Sequence, residues 1–185
     1  YCAERPKSLS AKAGRERLFA LTLFWLPPAG TQIPATPRAP LIWNPGGPIP
    51  IVIQRSSWDN STAWFVGLKA GSPSGPHGHM DCGSFVLDAA GIRWAVDIGA
   101  ESYNKIEQLG MNLWDAKQGS DRWRIFRLSS FAHNVPMIDG SQQLASATAR
   151  VVSVSEAPSR AVLDLSALYT NATSVIRAGE LLPAG

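Results

Sequence analysis

Apolar and polar positions along the chain fall into three textures. From Ala11 to Leu26 good helix formers surround a dense apolar run, Leu18 to Leu26, which stops at Pro27-Pro28. That pattern predicts a buried amphipathic helix within residues 1–29. Residues 30–50, GTQIPATPRAPLIWNPGGPIP, are proline-rich and lack periodicity, as a semi-rigid connector does. From Ile51 onward the runs IVIQR, AWFVGLK, SFVLDA, IRWAVDI, RIFRL, ARVVSVS, RAVLDLS and TSVIRA are β-prone and are separated by Gly, Pro, Asn, Asp and Ser. Short strands at this spacing predict a mainly β fold over residues 51–185, an antiparallel sandwich or barrel.

Composition sharpens this picture. In 185 residues there are 16 Gly, 14 Pro and 7 Trp, which suits a turn-rich β protein better than a helical bundle. The formal net charge of +3 permits an anionic partner, but the basic residues form no run dense enough for nucleic acid. The Leu18–Leu26 run falls well short of the ~20 apolar residues that span a bilayer, so no membrane partner is expected. Two cysteines, Cys2 and Cys82, cannot build a disulfide framework. A start at Tyr1 and an end at LLPAG are expected of a piece of a longer protein.

The chemistry concentrates in GPHGHMDCGSF, residues 75–85, which holds two of the three histidines. In a strand, His77 and His79 would project to the same face. SFVLDAAGIRWAVDIG predicts a hairpin turning at Ala89-Ala90-Gly91, with Asp88 opposite Ile92 and Asp97 opposite Gly83. His133 follows a further strand candidate in RIFRLSSFAHNV. Two imidazoles and a carboxylate suit zinc, and His79, Asp97 and His133 can supply three ligands, leaving His77 facing a cleft. Asp81 is the alternative to Asp97, or the cap of a local turn. A cupin-like site would need a glutamate soon after the histidine pair, where Cys82 and Gly83 stand. Trp94 alternates with Ile92 and Val96 as a core position would. Trp58 and Trp64 are core or sugar-stacking candidates, and Arg122 and Arg124 read as a solvated edge.

Together, KAGSPSGPHGHMDCGSFVLDAAGIRWAVDIGAESYN and WRIFRLSSFAHNVPMIDGSQQ resemble the β-sandwich part of the heparinase II/III-like polysaccharide lyases. The matching positions are Lys69, Gly71, the His77/His79/Asp81 series with Gly83-Ser84-Phe85, then Gly91, Trp94, Asp97, Gly99 and Tyr103. Arg127, His133, Asn134, Asp139, Gly140 and Gln143 complete the set. Val135 and Cys82 depart from the family's usual residues without touching a proposed ligand. The resemblance implies an α-helical toroid whose last helix falls in residues 1–29, and a cleft between that toroid and the sandwich. It also implies a structural zinc on His79, Asp97 and His133, a catalytic His77, and β-elimination on a uronic-acid polymer of heparan or alginate type. Substrate contacts are expected from Tyr103 and Arg127, and a periplasmic or secreted location follows from the family. A non-catalytic carbohydrate-binding or structural sandwich with a zinc site is the competing expectation.

Overall fold

The computed structural model describes residues 39–182, so the helix expected within residues 1–29 lies outside the described residues. A five-stranded antiparallel meander contains β1 (Ile42–Trp43), β2 (Ile51–Arg55), β3 (Phe65–Lys69), β4 (Phe85–Ala89) and β5 (Ile92–Ala95) in chain order. A three-stranded antiparallel meander follows, with β6 (Arg150–Glu156), β7 (Ser159–Asp164) and β8 (Ile176–Leu181). The first strand falls inside the stretch read as a connector. Between the sheets in sequence lie a short helix, α1 (Tyr103–Gln108), and three 3-10 turns, Asp121–Arg124, Phe126–Leu128 and Ser130–Ala132.

Strand periodicity explains the two layers. In β2, Val52 and Gln54 are wholly buried while Ile51, Ile53 and Arg55 point to the opposite face. In β7, Ala161 and Leu163 alternate inward in the same way. Val52, Leu68 and Cys82 from the first layer meet Leu163, Leu165 and Leu168 from the second in one core, giving the expected β-sandwich. Each fully buried leucine contributes roughly 1.5–3 kcal/mol of transfer free energy. Gln54 spans the layers, its side-chain amide donating to the Ser159 carbonyl at 2.8 Å. Cys82 sits within this core, and burial pushes its thiol up to about 12, so it behaves as a small hydrophobe.

Several local expectations are corrected. The hairpin turns on two residues, Ala90-Gly91, with Ala89 opposite Ile92 and Asp88 opposite Arg93. Ala90 joins Gly91 in the left-handed region, at φ 53° and 76°, which is the two-residue primed turn rather than the three-residue loop. An irregularity at Leu87–Asp88 then shifts the register again, and β5 ends at Ala95, so Asp97 lies beyond the ladder. RIFRL is not a strand. Ile125 and Leu128, three apart, are buried with Ile106 and Leu113, which fits the 3-10 period and not alternation. Trp94 is not core: β5 is an edge strand, and the residue is 65% exposed with its indole N–H donated to the Ala89 carbonyl at 3.1 Å. Trp58 and Trp64 are exposed as well. Among the described residues, no helix is long and apolar enough to cross a membrane.

Candidate metal site

Residues 77–83 form turns, not a strand, and this decides where the two histidines point. His77 adopts φ 54°, a left-handed conformation that costs a non-glycine residue of order 1 kcal/mol and is met at functional turns. The turn is closed by Gly78, whose N–H donates to the Gly75 carbonyl at 2.8 Å. It is held from below by Arg122, which donates to the Gly78 carbonyl at 2.6 Å and to the Leu113 carbonyl at 2.7 Å. Arg122 is therefore a buried strut, 4% exposed, and not the solvated edge its neighbours suggest; burial holds its pKa below the ordinary arginine value. Arg124 does lie at the surface, paired with Asp121.

The left-handed turn separates the pair. His77 stacks on Tyr103, the first residue of α1, with planes 7° apart and Nδ1 3.1 Å from the tyrosine hydroxyl. Trp114 meets both rings edge-on, at 6.0 and 5.5 Å between centroids. This exposed aromatic is 60% accessible, and its indole N–H is tied to Glu107 at 3.2 Å. His79 turns inward instead, its ring centroid 5.2 Å from that of His133.

His79, Asp81 and His133 each offer one ligand atom, and these atoms all lie within 4.8 Å of one another. Asp97, the carboxylate expected in the set, is one hydrogen bond away, accepting from His133 Nδ1 at 2.8 Å. All four groups named by the sequence reading, the alternative Asp81 included, thus converge. Asp81 is also gripped by Lys69, whose ammonium lies 2.6 Å from both carboxylate oxygens. The His133 side chain is fully buried, and its Nε2 faces the Arg127 carbonyl at 3.1 Å.

The electrostatics agree with this reading. The hydrogen bond from His133 holds the Asp97 carboxyl below the usual carboxylate range, against the opposing effect of burial. Burial lowers the pKa of His79, outweighing the pull of Asp81, and favours the neutral imidazole that ligates metals. Two imidazoles with neighbouring carboxylates form a nitrogen–oxygen donor set suited to zinc and related divalent ions. The cluster can hold a metal ion.

The cluster opens into a groove of about 420 Å³ that runs over the outer face of the first sheet past Ile53, Phe65 and Lys69 to His77, His79 and Asp97. Arg127 stands at the side of the site, donating to the Ile98 carbonyl at 2.6 Å and lying 3.5 Å from Glu101. The sequence reading singled out neither Trp114 nor a structural role for Arg122. Trp114 carries no motif, and an arginine in DRWR looks like any surface charge until its backbone partners are known. A family model described as "Heparinase II/III-like, C-terminal" matches residues 54–177, and no curated protein matches the chain. That match takes in well over half of the chain and every residue of the cluster, and the chain belongs to the heparinase II/III-like C-terminal family.

Proposed function

We propose that the protein is a polysaccharide lyase acting by β-elimination on a uronic-acid-containing polymer of heparan or alginate type, with this chain as its metal-bearing sandwich. The observation that carries the reading is the His77–Tyr103 pair, an imidazole on a left-handed turn 3.1 Å from a phenol hydroxyl beside the His79/Asp81/His133 cluster. In the elimination a base removes the proton at C5 of the uronate. The C4–O bond breaks, a C4=C5 double bond forms, and the departing oxygen takes up a proton. His77 is the group of this chain placed to move a proton at the cleft, with Tyr103 setting its ring orientation and contacting the sugar. Trp114 offers an aromatic face to the sugar ring beside them. The outward part of the Arg127 guanidinium meets carboxylate or sulfate on the polymer.

Zinc on His79, His133 and either Asp97 or Asp81 would have a structural role, fixing the turn that carries His77. The remaining catalytic groups belong to an upstream helical toroid. A periplasmic or secreted location is part of this proposal and rests on the family resemblance alone.

The test is His77→Ala in the intact protein, read by the ultraviolet absorbance of unsaturated uronate across a panel of acidic polysaccharides. Turnover is expected to fall by about 10²–10⁴-fold, the usual worth of a positioned proton-transfer group, with metal content unchanged. Unaltered turnover, or a wild-type protein inert on the whole panel, would favour a non-catalytic carbohydrate-binding sandwich.

A further inference from the structure

Residues 143–177, on and around the second sheet, contribute nothing to the ligand cluster, yet they reach the loops that do. Gln143 is wholly buried and grips the backbone of Cys82, next to Asp81, on both sides: its Oε1 accepts from Cys82 N–H at 3.1 Å and its Nε2 donates to the Cys82 carbonyl at 2.6 Å. The same Nε2 donates to the hydroxyl of Tyr169 at 3.1 Å. Tyr169 in turn donates to the carbonyl of Pro136, in the loop that leaves His133, at 2.7 Å. A second bridge runs parallel to this one. Arg177 of β8 directs one nitrogen at two carbonyls, Gly83 on the first loop and Asn134 on the second. Asn134 extends the link to the third limb, its amide donating to the carbonyls of Phe85 at 2.9 Å and Val96 at 3.0 Å, the latter next to Asp97.

We infer that Arg177 and the buried Gln143–Tyr169 pair are positioning residues for the metal site, setting the distance between the loop of His79 and Asp81 and the loop of His133. The inference rests on reading the cluster as a cation site. The loop-side hydrogen bonds of both bridges, at Cys82, Gly83, Asn134 and Pro136, end on backbone within three residues of a candidate ligand, so a lost bridge frees one loop from the other without removing a donor atom. Groups that orient ligands in this way are commonly worth about 10–100-fold in metal affinity.

The experiment titrates the full chain with cobalt(II) alone and follows affinity and the visible d–d spectrum. Tyr169→Phe, which deletes only the hydroxyl, and Arg177→Met are each expected to weaken cobalt binding by about 10-fold and to alter the band. Arg177→Lys, which keeps a cationic donor, should recover part of that loss. Arg160→Met, which removes a surface pair with Glu180 on the same sheet, should leave binding unchanged. If Arg177→Met fails to fold, Tyr169→Phe decides. Folded variants with wild-type affinity and spectrum would overturn the inference, leaving the sandwich bonds as packing alone. A wild-type chain that takes up no cobalt would overturn the cation reading itself, a distinct result.

Discussion

Replacing His133 with alanine is expected to weaken divalent-metal binding by more than about 100-fold, beyond the usual effect of losing an orienting neighbour. The imidazole is fully buried and couples three features at once: the shared ligand space with His79 and Asp81, the Asp97 carboxylate, and the Arg127 carbonyl. Its loss also acts on Asp97, whose depressed pKa comes first from the His133 hydrogen bond. A carboxyl with a folded-state pKa below its unfolded value stabilises the native chain above the unfolded value, and that contribution fades as pH falls through the folded value. In His133→Ala the Asp97 titration should move up toward the ordinary carboxylate range, and this acid-side contribution should shrink. Carboxyl titration by nuclear magnetic resonance and unfolding curves at acid pH measure both effects. An unchanged Asp97 titration would show that the pair is not formed in solution.

Gly78→Ala should be the most damaging small substitution in the turn. A Cβ at this position would lie 2.2 Å from the Pro73 carbonyl oxygen and 2.9 Å from that of Gly75, both backbone atoms with no side-chain freedom to yield. The loop must therefore move. Overpacking of this kind costs roughly 3 kcal/mol, and the displacement carries His77 and His79 with it. A steep drop in thermal stability together with loss of metal uptake is expected. Gly91→Ala is the control, because no atom lies within 4 Å of its added methyl and only its positive φ is strained. If Gly78→Ala melted like the wild type, the turn would be looser than these contacts require.

How much of this was readable beforehand depends on the range of the deciding interaction. The strands β2 and β7 are legible because their alternation is enforced by the core they share, Val52 facing in at one layer and Leu163 at the other. The chemistry of the site is legible because few residue types ligate metals, and the chain has few histidines to distribute. On that ground His79, Asp97 and His133 are expected together; the structure groups His79 and His133 with Asp81, the alternative carboxylate, and ties Asp97 to His133 by a hydrogen bond. The histidine pair does not lie on a strand, and its members diverge because His77 takes a left-handed conformation that alternation rules cannot foresee. Hairpin register failed by one residue through Ala90, since a turn type rests on a single dihedral.

RIFRL misled for a different reason. Its Ile, Phe and Leu make a β-prone run, while the buried pair is Ile125 and Leu128, chosen by the local cluster around Ile106 and Leu113. Arg122 and Arg177 were opaque because their partners are backbone carbonyls, which leave no trace in residue types. Trp94 shows the reverse limit: an apolar alternation at a sheet edge can face outward.

The most direct check on the site is elemental analysis of the purified chain after exhaustive dialysis, repeated on His79→Ala. A single divalent ion per wild-type chain is expected, with none retained by the variant. A wild-type chain that carries and takes up no ion, or a variant that keeps its full complement, would refute the convergence of His79, His133 and their carboxylates on one metal.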